Sequence, residues 1–291
     1  MEVDQNSTNG GIPDVLRMMT YMSPGIPIEY YNLIAHYLEE KLGCRVYLLY
    51  ESRWSGPPHD RTDPFTLGDA DIGFICSTYF RRLHYSHNND VELLPVAPLV
   101  THIRAHGAPV YFADVIIHKD NMKKYKDFEA LRGCKWAYND PESLSGSIIT
   151  LKELKKMGAN ANFFGHLLQS GSHLKSIDMV VNKDVDGAAI DSTTMALMME
   201  KNPDLKRQLH ILTSWGPLPI QPIITRKSLP NDLKRSIAAH LLVMHQDPKW
   251  LQKLAEFHVT KFTKTSVEMY EEDEELKKEV KGMSMNKQVY Y

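Results

Sequence analysis

Apolar residues in the first third of the chain form short runs separated by one stretch with helical spacing. Three runs have the length of buried strands: residues 15–20, 46–50 and 71–76. Between the first two, apolar residues recur every three or four positions over 29–42, and Gly43 follows as a helix terminator. Ser77 is placed to cap a short helix after the third run. This alternation predicts an α/β lobe.

The middle of the chain repeats the same alternation. It predicts further strands at 110–117, 134–138, 187–190 and 209–213, and helices at 127–131, 148–157, 173–182 and 192–201. The proline-rich segment 214–224 is typical of an extended connection between lobes. Helices are predicted at 231–245 and from Pro248, and the acidic tail 271–291 is predicted to be a solvated helix end that frays.

Length and charge restrict the class of protein. The chain has 291 residues, which favours two lobes, and 34 Lys and Arg balance 36 Asp and Glu. A formal net charge of -2 provides no basic excess for nucleic acid, so the expected partner is a small molecule. No apolar run is long enough for a membrane span, and the first residues lack the pattern of a signal peptide. We therefore expect a cytoplasmic protein, with residues 1–11 disordered.

Motifs for the common cofactors, metals and nucleophiles are not found in the sequence. It contains neither G-x-x-x-x-G-K-[ST] nor G-x-G-x-x-G, and no H-E-x-x-H or G-x-S-x-G. The three cysteines are odd in number and lack C-x-x-C spacing, so they predict neither a disulfide framework nor a zinc site. We expect no cofactor, no metal and no catalytic residue.

The segment 139–147, Asn-Asp-Pro-Glu-Ser-Leu-Ser-Gly-Ser, is the strongest candidate for chemistry. It joins a predicted strand to a predicted helix, and the free backbone N–H groups of a helix start attract anions. Ser143 and Ser145 can add hydroxyl hydrogen bonds, and Gly146 lets an oxyanion approach the backbone closely. The alternative is that these serines only cap the helix.

Three blocks, in order, carry a resemblance to a known family. They are the segment 128–146, the tripeptide Gly-Ser-His at 171–173 and the segment 186–192, Asp-Gly-Ala-Ala-Ile-Asp-Ser. Together they resemble the phosphate/phosphite/phosphonate-binding family of type 2 periplasmic solute-binding proteins. The resemblance extends outward over residues 15–265, through Tyr-Met-Ser-Pro at 21–24, the segment 68–74 and Ile-Thr-Arg-Lys-Ser-Leu-Pro at 224–230.

The resemblance implies an α/β fold of two lobes, the type 2 periplasmic-binding-protein clamshell, which closes over a small ligand. Two crossing segments act as its hinge, and here they would fall near Tyr111 and Trp215. Residues 12–111 and 214–291 would form lobe 1, and residues 112–213 would form lobe 2.

The resemblance also implies the site residues. Ser143, Ser145 and Gly146 match the oxyanion cradle of the family, and His173 matches the histidine that joins it. Asp191 falls near the acidic residue that phosphonate binders use for a ligand amino group. Tyr21, Ser77 and Tyr111 correspond to positions that line the cleft. For His173 and Asp191 a capping role is the alternative.

The sequence departs from the family pattern in one loop. Residues 52–59, Ser-Arg-Trp-Ser-Gly-Pro-Pro-His, replace the usual helix after the second strand. Trp54 and Arg53 are placed where they can reach the mouth of the cleft, which would suit a larger, partly apolar or anionic ligand. Alternatively, Trp54 packs under its own loop.

The leading hypothesis is a small-molecule binding protein without chemistry of its own. It would hold a phosphonate-like, phosphate-like or amino-containing anion in the interlobe cleft and act as a cytosolic carrier, store or sensor. A second hypothesis is an enzyme on the same fold, because pyrimidine-precursor synthases of thiamine biosynthesis resemble these proteins, although their cysteine-rich iron motif is absent here. A third is a surface that serves a protein partner of unknown identity.

Overall fold

A computed structural model describes residues 13–21, 25–51, 55–86 and 90–285. Trp54 and residues 1–11 therefore lie outside the described residues. The strands are β1 (Val15–Thr20), β2 (Arg45–Tyr50), β3 (Ile72–Phe74), β4 (Val91–Leu93), β5 (Val96–Val100), β6 (Val110–His118), β7 (Lys135–Tyr138), β8 (His166–Gln169), β9 (Gly187–Asp191), β10 (Leu209–Pro219), β11 (Ile223–Arg226) and β12 (Val259–Lys264).

The α-helices lie between and after these strands. They are α1 (Ile28–Leu42), α2 (Ser77–His84), α3 (Ile149–Lys156), α4 (His173–Val181), α5 (Ser192–Lys201), α6 (Leu205–Gln208), α7 (Asn231–Val243), α8 (Pro248–Ala255) and α9 (Glu271–Glu279). The predicted helix at 29–42 is confirmed: its buried face packs on the sheet, and Gly43 ends it with a φ of 68°.

The first sheet has the strand order β2-β1-β3-β11-β4. Strand β1 pairs in parallel with β2 and β3, whereas β11 pairs antiparallel with β3 and β4. Alternate residues of β1 are buried, namely Leu16, Met18 and Thr20, so one face of this strand meets the core. Helix α1 and the later helices α7 and α8 cover the core, where Tyr37 packs edge-on against Trp250.

The second sheet has the order β10-β6-β9-β7-β8. Strands β9, β7 and β8 are parallel, and β6 and β10 form an antiparallel pair at one side. The two expected crossing segments thus lie side by side, because Tyr111 on β6 is the partner of Leu218 on β10. The residues that form the two sheets give the two-lobe α/β fold expected from the sequence, while the lobe boundaries at 111 and 213 stay a prediction.

The C-terminal tail differs from the prediction. Residues 271–279 form helix α9, which is docked on the protein rather than frayed. Tyr270, Leu276, Val280 and Met285 are all buried, and Tyr270 packs edge-on against Phe80 of α2. Burial of the apolar residues on one side of this segment removes apolar surface from water. This burial stabilises the docked helix although many of its other residues are acidic.

Candidate functional site

The parallel strands β7, β8 and β9 place three polar segments at one edge of the second sheet. Parallel strands end at the same edge, where ligands of α/β proteins usually bind. Asn139 follows β7, His173 begins the helix after β8, and Asp191 is the last residue of β9. The fold therefore brings together residues that are up to 52 positions apart in the sequence.

A short π-helix, Leu144–Ile148, follows β7 and continues into α3. Ser143 caps it, since its Oγ accepts a hydrogen bond of 3.1 Å from the Gly146 N–H. Ser147 donates 2.6 Å to the Asp140 carbonyl, which holds the turn in place. Single-turn π-helices are frequent at functional sites, and this one presents its start to the edge of the sheet. Ser143 thus has the capping role that was the alternative reading of its sequence, while its part in ligand binding stays a prediction.

Gly146 lies where a side chain would collide with its surroundings. A Cβ atom at this position would stand 1.8 Å from Asn139 Oδ1 and 3.2 Å from Ser143 Oγ. The close approach of Asn139 to the backbone therefore requires glycine here.

Ser145, His173 and Asn139 form a contiguous polar cluster, hereafter the cradle. The Ser145 Oγ atom lies 3.2 Å from His173 Nε2, and the Asn139 Nδ2 atom lies 3.3 Å from the same nitrogen. Ser145 and Asn139 are buried, and His173 is half-buried. The structure thus joins two of the predicted site residues directly and adds Asn139. That residue was part of the quoted segment 139–147, but nothing in the sequence separated it from its neighbours.

Burial lowers the pKa of His173, and the charge of Asp191 offsets only part of this effect. The ring is therefore neutral at pH 7. Because Nε2 accepts from the Asn139 amide, the ring hydrogen is assigned to Nδ1. This nitrogen is buried and has no hydrogen-bond partner among the described residues. A buried donor without a partner is suited to an oxyanion.

Tyr111, on strand β6, lies beside the cradle. It is buried, and the Ser145 side chain is its hydrogen-bonding neighbour. Burial, followed by the charge of Asp191, raises the pKa of the Tyr111 phenol well above its usual value, so the hydroxyl stays protonated.

Asp191 has both carboxylate oxygens occupied. Oδ1 accepts from the Thr193 N–H at 2.7 Å and from the Thr193 hydroxyl at 2.6 Å, which caps α5. Oδ2 accepts from Gln221 Nε2 at 2.7 Å, a contact the sequence did not indicate. These bonds correspond to the capping alternative for Asp191, and its contact with a ligand amine stays a prediction.

The remaining predicted residues lie on the first lobe. Ser77 is buried at the first position of α2, whose N-cap residue Cys76 makes no side-chain capping bond. Tyr21 is buried at the end of β1, where burial raises its pKa to about 12 against the opposing charge of Arg61. The charged groups near Tyr21 are Glu51, Arg61 and Asp63 of the adjoining loop and Arg82 of α2.

The two lobes touch directly near the cradle. Thr78 of α2 donates a hydrogen bond of 2.9 Å to the Glu142 carbonyl, one residue before the cap of the π-helix. The cleft between the lobes is thus narrow at this point, and the cradle lies on its second-lobe side.

The described ranges contain no candidate metal cluster and no candidate membrane span. No group of three or more His, Cys, Asp or Glu side chains there has an arrangement that would hold a metal ion. No helix within the same ranges is long and apolar enough to cross a membrane.

The chain matches a known protein family, a curated relative and several solved structures. Residues 18–270 match the model of a family described as "ABC transporter, phosphonate, periplasmic substrate-binding protein". The chain is also 25% identical over 138 residues to the phosphonates-binding periplasmic protein of Escherichia coli K12. That match covers 46% of this chain and 40% of the relative.

Solved structures share the fold at low sequence identity. A binding-protein component of an ABC phosphonate transporter from Pseudomonas aeruginosa is 18% identical, with a TM-score of 0.74 over 92% of this chain and 86% of the other. PhnD1 from Prochlorococcus marinus, solved in complex with methylphosphonate, is 14% identical with a TM-score of 0.75, covering 94% of this chain and all of the other. XAC2383 from Xanthomonas citri, solved bound to ATP, is 17% identical with a TM-score of 0.64, covering 92% and 98%.

The family match corrects one expectation. The matched family consists of periplasmic substrate-binding proteins, and the curated relative is a periplasmic protein as well. The expectation of a cytoplasmic protein is therefore wrong. It rested on the composition of the first residues, which do not determine the family of the chain.

Proposed function

Because the chain belongs to the family of phosphonate-binding periplasmic proteins of ABC transporters, we propose that it binds a small phosphonate-like oxyanion in the cleft between its lobes. As a substrate-binding protein of a transporter it would hand this ligand to a membrane permease. The observation that carries the proposal is the cradle, in which Ser145 and His173 meet at 3.2 Å with a buried, unpartnered nitrogen on the ring.

The cradle suits such an anion for electrostatic reasons. Hydroxyl groups, a neutral imidazole N–H and the start of a helix donate hydrogen bonds without bringing a full positive charge. A mobile oxyanion can therefore bind and leave, as transport requires. The Ser145 hydroxyl and His173 Nε2 lie within hydrogen-bond distance, but no described residue hydrogen-bonds to Nδ1 and orients the imidazole as a base, which favours binding over covalent chemistry.

Calorimetric titration with methylphosphonate and inorganic phosphate tests the proposal. The wild-type protein should bind at least one of them. Ser145→Ala combined with His173→Ala should weaken that binding about a hundredfold to ten-thousandfold, because each hydrogen bond to a charged group contributes roughly 1.5–3 kcal/mol.

The matched control combines Ser228→Ala with His166→Ala, the same chemical changes at two exposed positions. It should leave the dissociation constant unchanged. If the wild-type protein gives no heat and no thermal shift with either anion, the proposed function is wrong. An unchanged constant in the Ser145 and His173 variant would show that these residues only support the local fold.

A further inference from the structure

A cavity of about 360 Å³ lies between α2 and α9, beside a contact between the two lobes. Its size falls in the range of small-molecule sites, roughly 300–1,000 Å³. Thr78 lines the cavity, and its hydroxyl donates a hydrogen bond of 2.9 Å to the Glu142 carbonyl. Ser145, His173 and Asn139 of the cradle are not among the described residues that line it. The cavity is therefore a separate space at the rim of the cleft.

The lining of this cavity is mainly cationic. Two arginines come from α2 and two lysines from α9, namely Arg81, Arg82, Lys277 and Lys278. Glu274 is the one acidic residue among the described residues of the lining. Four positive charges thus accompany one negative charge, in a chain whose formal net charge is -2. A concave surface of one sign concentrates ions of the opposite sign, so this cavity favours an anion.

Arg81 is held in place and keeps one donor without a partner. It is only 9% exposed. Its guanidinium lies 4.2 Å from the centre of the Tyr85 ring, and its Nη1 atom donates a hydrogen bond of 2.9 Å to the Tyr85 hydroxyl. Its Nε atom has no hydrogen-bond partner among the described residues. Because buried polar atoms are nearly always hydrogen-bonded, this donor indicates a ligand.

Asp273 does not supply the missing partner of Arg81. The charges of the two groups interact, but no hydrogen bond joins them. Burial raises the pKa of Asp273 to about 7, so this carboxyl group is only partly ionised at neutral pH. The positive charge of Arg81 is therefore not fully balanced within the protein.

Arg82 also has a donor that is not used. Its Nη2 atom donates to the Pro57 carbonyl, and its guanidinium lies 4.6 Å from the centre of the Tyr79 ring. The Nη1 atom has no hydrogen-bond partner in the part of the chain that the structure describes. A planar guanidinium matches the geometry of a phosphate or carboxylate group. Two such groups in one cavity therefore favour an oxyanion.

The two lysines of α9 line the cavity opposite the arginines of α2. Lys277 is half-buried and lies 3.4 Å from the Glu142 carboxylate, and Lys278 is exposed. An ammonium group has three donors, so a long contact with one carboxylate leaves Lys277 able to bind an anion as well. Cations on two helices can contact different oxygens of one extended anion, whereas a single phosphate group contacts fewer of them.

We infer that this cavity is a second anion site, which binds an oxyanion with at least two negative charges and prefers linked phosphate groups to a single phosphate. Arg81 and Arg82 contact one phosphate group, and Lys277 and Lys278 contact the other. The inference does not rest on the proposed function, because the described lining of the cavity contains no residue of the cradle.

Calorimetric titration of the full chain with pyrophosphate tests the inference. The variant with Ser145→Ala and His173→Ala is used, so that the cradle does not contribute to binding. It should bind one pyrophosphate, at least about tenfold more tightly than inorganic phosphate. Adding Lys277→Gln and Lys278→Gln should weaken pyrophosphate binding about ten- to a hundredfold, because two charge-assisted hydrogen bonds at partly exposed positions are lost.

The matched control combines Lys123→Gln with Lys126→Gln, which removes the same charge at two exposed positions outside the cavity lining. It should leave the dissociation constant of pyrophosphate unchanged. Both lysine pairs are also replaced in the wild-type protein, where binding at the cavity should weaken by the same factor. The test therefore does not depend on the folding of the cradle variant.

Three results would overturn the inference. The first is that pyrophosphate does not bind to the folded cradle variant. The second is equal weakening by both lysine pairs, which would show a general attraction between charges. The third is an unchanged dissociation constant after Lys277→Gln and Lys278→Gln, which would place the anion elsewhere. If methylphosphonate and phosphate do not bind but pyrophosphate behaves as expected, the proposed function is wrong and the second anion site stands.

Discussion

At the scale of single residues, one buried carboxylate ties together three strands of the first sheet. Asp71 accepts from the Arg17 backbone N–H at 2.8 Å and from its guanidinium at 3.1 Å, and from Arg226 Nη2 at 2.7 Å. Arg17 is on β1, and Arg226 is on β11, on either side of β3. Burial raises the pKa of Asp71, but the two arginines outweigh it and leave the pKa below its usual value.

Asp71→Asn should destabilise the fold by about 2–4 kcal/mol, because it leaves two partly buried guanidinium groups without their counter-charge. Since the folded pKa lies below the unfolded one, the stabilisation by Asp71 is present above about pH 4 and is lost as the pH falls further. Denaturant unfolding at pH 7 and at pH 3 measures both effects. The difference in the free energy of unfolding between the wild-type protein and the variant should be smaller at pH 3 than at pH 7.

A neutralisation two residues away provides the control for this experiment. Asp69→Asn removes an exposed carboxylate and should change the free energy of unfolding by less than about 0.5 kcal/mol. If Asp71→Asn also changed the free energy of unfolding at pH 7 by less than about 0.5 kcal/mol, the ion pairs would contribute no net stability to the sheet.

At the scale of secondary-structure elements, α9 is too short to be stable without packing. It has nine residues, with acidic side chains at its first four positions, and isolated helices of that length are marginal in water. Leu276 is buried on its inner face. The docked helix therefore depends on a few apolar contacts, which makes it sensitive to a single truncation.

Leu276→Ala should weaken the docking of α9 by roughly 2 kcal/mol or more, through loss of buried apolar contact. Hydrogen exchange followed by mass spectrometry should show residues 270–280 exchanging about thirtyfold faster, with little change in β1 and α1. Glu275→Ala, at an exposed position of the same helix, should leave the exchange rate nearly unchanged. A global rise in exchange would instead show that α9 unfolds only together with the whole protein.

The elements that the sequence predicted are those with a strong apolar period. Helix α1 and strand β1 have a regular alternation of buried and exposed positions, so their type was evident. Strands β4 and β8 were missed because they are short edge strands with little buried surface. Strand β12 was missed because its sequence, Val-Thr-Lys-Phe-Thr-Lys, has two buried residues only, and its pairing with β5 joins distant segments.

The candidate site was predictable only in part, for a similar reason. Ser143, Ser145 and His173 belong to local patterns at the ends of strands, and such patterns can be recognised in a sequence. Gln221 contacts Asp191 from a distant segment, and its local sequence is that of a proline-rich linker. Its contact depends on tertiary packing, which leaves no periodic pattern in the neighbouring sequence.

At the scale of the whole molecule, the lobes are joined in two ways. The paired strands β6 and β10, which hold the two predicted crossing segments, connect them through the backbone, and Trp215 of β10 packs edge-on against Phe128. Across the cleft the connection consists of side chains, including the Thr78–Glu142 hydrogen bond and the Lys277–Glu142 ion pair. The backbone connection through β6 and β10 can bend without losing contacts. The side-chain contacts across the cleft, by contrast, must break when the lobes separate.

This arrangement predicts that ligand binding favours the closed molecule. The cradle lies on the second lobe, and Ser77 and Tyr21 lie on the first, so a ligand that contacts both gains its full set of contacts only when the lobes meet. A ligand shifts such an equilibrium by its difference in affinity for the two states, and a ligand with equal affinity shifts nothing. The Thr78–Glu142 hydrogen bond and the partly exposed Lys277–Glu142 ion pair are too weak to hold the lobes together alone, because a hydrogen bond contributes about 0.5–1.5 kcal/mol and an exposed ion pair about 0–1 kcal/mol.

Small-angle scattering with and without methylphosphonate measures the effect. The radius of gyration should be smaller in the complex, and the fluorescence of Trp215, on the predicted crossing segment, should change with it. Superimposable scattering curves at a ligand concentration shown by calorimetry to be saturating would contradict closure and would favour a rigid pocket.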